Sequence, residues 1–160
     1  MTVPFEQSPL LSGIPGLRHG FFGRRGGHST GDFASLNISE NVGDNPNLVA
    51  KNRAEVLDSM SLSATTVAQL TQVHSNRVVT LTDRYQATAR PEADALVTAN
   101  PELLLAIQTA DCTPILLADP QAAVIGAAHA GWKGALSGII GETIAAMQRL
   151  GAEPGRIVAA

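Results

Sequence analysis

The sequence has 160 residues, 44% hydrophobic and 16% charged, with 15 glycines and 9 prolines, a size and mixture that fit one globular domain and exclude wholesale disorder. Aromatic residues make up 4%, so Ala, Val, Leu and Ile are expected to fill the core of an α/β arrangement. Eleven Lys and Arg against fourteen Asp and Glu leave a formal charge of −3, without the positive field of a nucleic-acid binder, and no apolar run approaches the roughly 20 residues of a membrane helix.

Met1 to Leu11 has no basic segment and carries Glu6 with two prolines, so it does not read as a secretory leader. From Gly13 to Gly31 the composition is rich in Gly, Arg and His. It predicts a loop, or a short strand through Gly20 to Gly23 followed by a loop, presenting cationic side chains. Asp44-Asn45-Pro46 offers a helix start, and Leu48, Val49, Val56, Leu57 and Met60 fall near one face, predicting a helix over Pro46 to Ser59. Arg77 to Thr82 is β-branched and reads as a strand. Four more apolar runs follow at Ala95 to Thr98, Leu103 to Gln108, Pro114 to Ala118 and Ala123 to Ala128, separated by turn residues at Asn100-Pro101-Glu102 and Asp119-Pro120-Gln121. Runs this continuous suggest strands covered on both faces. Leu136, Ile139, Ile140, Ile144, Met147 and Leu150 then recur at helical spacing up to Gly151, predicting a second helix from about Gly134 closed by a C-cap glycine. Arg156 to Ala160 opens another strand-like run, and the sequence stops inside it. Part of the working protein is therefore expected to lie beyond this chain.

Polar chemistry gathers in four segments beside these runs: Arg24-Arg25-Gly26-Gly27, Gln72-Val73-His74-Ser75, Thr109-Ala110-Asp111-Cys112 and His129-Ala130-Gly131-Trp132-Lys133-Gly134. Three lie at predicted strand boundaries, where a rigid sheet can aim side chains into a common pocket. His74, Cys112 and His129 supply two imidazoles and a thiolate, a set suited to Zn²⁺ and also to copper, and three ligands leave a fourth position open. Their spacing fits no zinc-finger pattern, so an alternative stands beside the metal: a buried apolar thiol and two hydrogen-bonded structural histidines. A third reading makes Cys112 a nucleophile with His74 or His129 as base and Asp111 or Asp94 orienting the imidazole. Cys112 is the one cysteine, which excludes an internal disulfide and fits a cytoplasmic location. In the last segment, small residues before a helix start could bring backbone N–H groups and Lys133 to an anion; equally, the segment could be an ordinary strand-to-helix turn in which Trp132 covers the core edge.

Taken together, these segments resemble the YfiH family, also called the peptidoglycan-editing-factor, laccase-domain or multicopper polyphenol oxidase family. The likeness runs in order through Gly20-Phe-Phe-Gly-Arg-Arg-Gly-Gly-His-Ser-Thr-Gly, Ser35-Leu-Asn, Gly43-Asp-Asn-Pro and Asn52-Arg. It continues through Gln72-Val-His, Ala93-Asp-Ala-Leu-Val-Thr, Thr109-Ala-Asp-Cys-Thr-Pro-Ile-Leu-Leu-Ala-Asp and Ala128-His-Ala-Gly-Trp-Lys-Gly. The resemblance implies a layered α/β sandwich with mixed sheets, related to cysteine-hydrolase toxin domains. A single domain over 1–160 would lack the family's C-terminal third. It also implies zinc at His74, Cys112 and His129, with copper as the alternative metal. The implied activity is phosphorolysis of adenosine, inosine, guanosine and methylthioadenosine, with adenosine deamination besides. Copper-dependent phenol oxidation and editing of peptidoglycan precursors are the other roles attached to the family. The expected partners are thus purine nucleosides and phosphate. Arg24 aligns with the family arginine, and either the metal or Arg24 with Lys133 is expected to hold phosphate. Asn37 is expected to bind substrate, and Asp111 is the nearest candidate in sequence to protonate the departing base.

Overall fold

The computed structural model describes residues 3–62, 66–82, 85, 88 and 90–160, which form two compact units, one up to residue 64 and one from residue 65 onward. In the first, β1 (Phe5–Glu6) pairs antiparallel with β2 (Phe21–Phe22), the short strand expected after Gly20. A single helical turn, α1 (Pro9–Ser12), lies between them, capped by the Ser8 hydroxyl. The glycine-rich segment that follows is pinned rather than loose. The Arg24 carbonyl accepts the N–H groups of Ser35 and Leu36 at 3.1 and 2.9 Å.

α2 (Pro46–Ser59) has the bounds expected from the sequence. The Asn45 side chain accepts the Asn47 N–H at 2.9 Å, and Pro46 stands where no N–H is needed. Its buried residues are Val49 and Asn52. The Asn52 amide is fully buried and accepts the His28 N–H at 2.7 Å, while donating to Ser29 Oγ at 2.9 Å and the Asn37 carbonyl at 2.7 Å. One satisfied buried amide thus fastens the loop to the helix.

In the second unit, β3 (Thr66–Ala68) and β6 (Leu103–Leu105) form a parallel pair. A five-stranded mixed sheet contains β4 (Val78–Leu81), β5 (Ala95–Thr98), β7 (Thr113–Asp119), β8 (Val124–Ala130) and β9 (Val158–Ala159), in the order β4-β5-β8-β7-β9. The β4–β5 pair is parallel and the others antiparallel. β5 shows why these apolar runs are unbroken. Ala95 and Val97 pack with Ile139 and Met147 of α4 (Ile139–Arg149), whereas Leu96 joins Ala68 and Leu103 of the parallel pair. Helix, sheet and second sheet therefore stack as layers, and among the described residues no sheet closes into a barrel. The run expected to extend to Gln108 ends as a strand at Leu105. The Ala106 N–H makes its bond to Ala68, and the Gln108 backbone is then taken by a side chain instead.

The second helix differs from the expectation. It begins at Trp132, as α3 (Trp132–Leu136), and breaks before α4. The Ser137 hydroxyl donates to the carbonyls of Lys133 and Gly134, and Gly138 turns the chain with φ +87, a conformation favourable to glycine. The break removes Leu136 from the apolar stripe and leaves it 83% exposed; Trp132, 72% exposed, does not cover the core edge. α4 buries Ile139, Thr143, Ala146 and Met147. It closes as expected at Gly151: the Gly151 N–H bonds to Gln148 and the Ala152 N–H to Met147, with Ala152 packed beside Met147.

The chain returns through a 3₁₀ turn at Pro154–Arg156 into β9 at the β7 edge. Buried Asp119 fastens this return, accepting the N–H groups of Gln121, Ala122 and Glu153 at 2.9, 3.1 and 2.9 Å and the Arg156 guanidinium at 3.0 Å. No helix among the described residues is long and apolar enough to cross a membrane.

Candidate metal centre

Sheet register builds the site. Ala95 pairs with Ala128, so Asp94 falls opposite His129, and the His129 N–H bonds to the Asp94 carbonyl at 2.7 Å. Pro114 is also paired with His129, so Cys112, two residues earlier, falls on the same side of the pleat. His74 arrives from a loop held by two side-chain clamps. The Gln72 amide donates to the Gln108 carbonyl at 2.7 Å and accepts the Gln108 N–H at 2.9 Å, joining the loop to the segment that leads to Cys112. The Asp94 carboxylate accepts the N–H groups of Val73, His74 and Ser75 at 3.3, 3.0 and 2.6 Å and the Ser75 hydroxyl at 2.7 Å. His74 has φ +61, a left-handed conformation that costs a non-glycine residue roughly 1 kcal/mol or more. Hydrogen bonds to a charged acceptor contribute about 1.5–3 kcal/mol each, enough to hold it.

The ligand atoms offered by His74, Cys112 and His129 all lie within 4.8 Å of one another. Cys112 Sγ is 3.7 Å from His74 Nε2, and the two imidazoles meet edge to face at 4.9 Å. Tetrahedral zinc with ordinary bond lengths holds nitrogen and sulfur about 3.6 Å apart, so the donor set fits such an ion. His129 is buried, Cys112 half-buried and His74 exposed, which leaves one side of the cluster open. His129 Nδ1 is 2.8 Å from Asp94 Oδ1. Hydrogen bonding there leaves Nε2 for the cluster. Burial pushes the Asp94 carboxyl up, but the hydrogen bonds from His129, Ser75 and His74 outweigh it and hold the group below the usual carboxylate range. Gly131 closes the wall: a Cβ there would stand 2.7 Å from His74 Cδ2 and 3.1 Å from Cys112 Sγ.

Of the residues singled out from the sequence, the fold brings His74, Cys112 and His129 together. Asp111 is exposed beside Cys112 at the turn into β7. Lys133 is exposed on α3, with its Nζ 5.5 Å from the centre of the Trp132 ring. Arg24 and Asn37 belong to the first unit. The Arg24 guanidinium bonds to the Ala34 carbonyl. The Asn37 amide donates to Asp44 Oδ2 at 2.9 Å, and hydrogen bonds from Ser29 and Asn37 hold the Asp44 carboxyl below its usual range. Gln72 and Gly131 were not among the expected site residues; Asp94 was expected only as the alternative to Asp111 for orienting an imidazole, and it is Asp94 that meets His129. For Asp94 a signal existed: a lone carboxylate heading an otherwise apolar run, Ala93-Asp-Ala-Leu-Val.

Residues 18–160 match the family model described as multi-copper polyphenol oxidoreductase laccase. The chain is 49% identical over 158 residues to a protein of Deinococcus radiodurans named purine nucleoside phosphorylase, covering 99% of this chain and 59% of that one. Among solved structures it is similar to YlmD from Geobacillus stearothermophilus, with a TM-score of 0.86 and 33% identity over 97% of this chain and 63% of that chain. A Bacillus licheniformis hypothetical protein, YfiH, gives a TM-score of 0.80 at 35% identity over 88% of this chain and 55% of that chain. The chain thus spans about three fifths of the length of the relatives it matches. Motifs, layered fold and family match agree, and the chain belongs to the laccase-domain family whose structures include YfiH.

Proposed function

We propose that the chain carries the metal centre of a zinc-dependent purine nucleoside phosphorylase that also deaminates adenosine. The observation that carries this reading is the convergence of His74, Cys112 and His129 on one open position, in a chain 49% identical to a protein named for that activity. Zinc in such a three-residue site supplies Lewis acidity and an activated water for attack on C6 of adenine. His129, with Nδ1 hydrogen-bonded to Asp94, presents Nε2, while His74 presents Nε2 and Cys112 its thiolate. For phosphorolysis, the family resemblance assigns phosphate to Lys133 of the second unit, and it assigns Arg24 and Asn37, each described within the first unit, to substrate. A phosphate oxygen bonds to the anomeric carbon as the glycosidic bond breaks, and the departing base takes a proton, for which Asp111 is the candidate nearest in sequence to the metal donors. The expected substrates are adenosine, inosine, guanosine and methylthioadenosine.

The test is incubation of zinc-loaded protein with adenosine and phosphate, read by chromatography. Adenine with ribose 1-phosphate reports phosphorolysis, and inosine reports deamination. Neither product from protein holding stoichiometric zinc would sink the reading. The family description favours a second one, copper in the same cluster oxidising phenols. Among the described residues there is a single three-donor cluster, which suits one copper ion rather than a coupled set. Phenol oxidation by copper-loaded protein, with no turnover of nucleosides by the zinc form, would put this second reading first.

A further inference from the structure

The carboxylate of Asp94 is fully buried and, among the described residues, has no lysine or arginine as a hydrogen-bond partner. Its two oxygens divide the work. Oδ1 faces His129 Nδ1 at 2.8 Å and the His74 N–H at 3.0 Å; Oδ2 takes the Ser75 N–H and hydroxyl and the Val73 N–H. One side chain at the head of β5 therefore touches both histidine-bearing segments, one through an imidazole and the other through three successive backbone N–H groups. A carboxylate only accepts hydrogen bonds, so it selects the His129 tautomer whose proton is on Nδ1. The same acceptor stabilises the left-handed backbone of His74, from which Nε2 reaches Cys112 Sγ.

We propose that Asp94 is the positioning residue of the metal centre, setting the tautomer of one imidazole and the backbone of the other so that both present Nε2 to the same point. The proposal rests on the metal reading of His74, Cys112 and His129, and it adds that the donor set is poised by a single carboxylate before any ion arrives. Histidine ligands held by an outer carboxylate typically lose about 10- to 100-fold in metal affinity when that partner is changed.

Asp94→Asn keeps the shape of the side chain and replaces one acceptor oxygen with a donor. Whichever way the amide turns, it points N–H either at His129 Nδ1 or at the N–H groups of the 73–75 loop. Two readouts are taken on the full chain. Zinc affinity is measured by competition with a chromogenic chelator, and the tautomer of His129 in metal-free protein is read from its imidazole ¹⁵N shifts. The expected result is an Nδ1–H tautomer in the parent and at least a ten-fold loss of zinc affinity in the variant. Asp119→Asn, at the far end of β7, serves as the comparison for a buried carboxylate with several backbone partners. It should lower the melting temperature and leave zinc affinity within two-fold of the parent. An Nε2–H tautomer in the parent overturns the proposal even if Asp94→Asn fails to fold. So does a folded Asp94→Asn variant whose zinc affinity stays within two-fold of the parent. If the parent binds no zinc, the metal reading fails by itself and the tautomer still decides the role of Asp94.

Discussion

At Gly131 a single hydrogen stands where any other residue would press on two metal donors. An added methyl would lie 2.7 Å from His74 Cδ2 and 3.1 Å from Cys112 Sγ, and His74 is exposed and can swing away. Gly131→Ala should therefore fold with the parent's melting temperature or close to it, yet bind zinc about ten-fold more weakly, as small displacements around metal ligands do. Calorimetric titration checks it, and parent-like affinity would mean that the wall can yield. Cys112→Ala should lose stoichiometric zinc altogether, because the thiolate is the strongest of the three donors and two imidazoles hold zinc weakly. His74→Ala and His129→Ala should behave alike. Full zinc in Cys112→Ala by elemental analysis would leave the cysteine as a nucleophile or a packing residue.

The return of the chain to the β7 edge depends on Asp119, whose hydrogen bond from Arg156, against the cost of burial, holds its carboxyl well below its ordinary 3.8. Folding lowers this value, so the unfolded chain takes up the proton first as pH falls. The contribution of Asp119 is thus complete above 3.8 and is lost as pH falls through the depressed value in the folded state. Asp119→Asn should lower the melting temperature by several degrees at neutral pH, and the gap to the parent should narrow in acid; a gap independent of pH would remove the carboxylate from the account. The same paired strands were legible in the sequence where packing follows composition. The run Ala95 to Thr98 could be read as a strand covered on both faces because it is buried by a helix on one side and a second sheet on the other. α2 was legible from its cap. What could not be read was any feature decided by a single hydrogen bond between a side chain and the backbone. The break at Gly138 depends on a Ser137 hydroxyl turning back to Lys133, and the end of β6 on an amide from Gln72. The metal donors were legible as chemistry, and Asp94 as one of two candidates to orient an imidazole; its hold on the backbone of residues 73–75 and the closeness of Gly131 were not, since these are defined by what they touch.

The unit from residue 65 onward has its own clusters of buried aliphatic side chains, and none of the three metal donors belongs to them. Metal should therefore stabilise a fold that already exists, unlike a zinc finger, which needs its ion to fold. Zinc at 100 times its dissociation constant adds about 2.7 kcal/mol. A melting temperature that rises with zinc concentration, beside far-ultraviolet circular dichroism unchanged by chelation, is the expected pair of results. Collapse of the signal on chelation would reverse the order of events. The pairing of β5 with β8 carries one more consequence. A slip of one residue moves a strand by about 3.3 Å and turns its side chains to the opposite face, so a misaligned chain would place Ala93 or Ala95 where Asp94 meets His129. Such a chain could still look folded by its content of strand and helix. It would not take up the ion, and the fraction of a refolding population that binds zinc therefore counts the molecules whose strands have come into step.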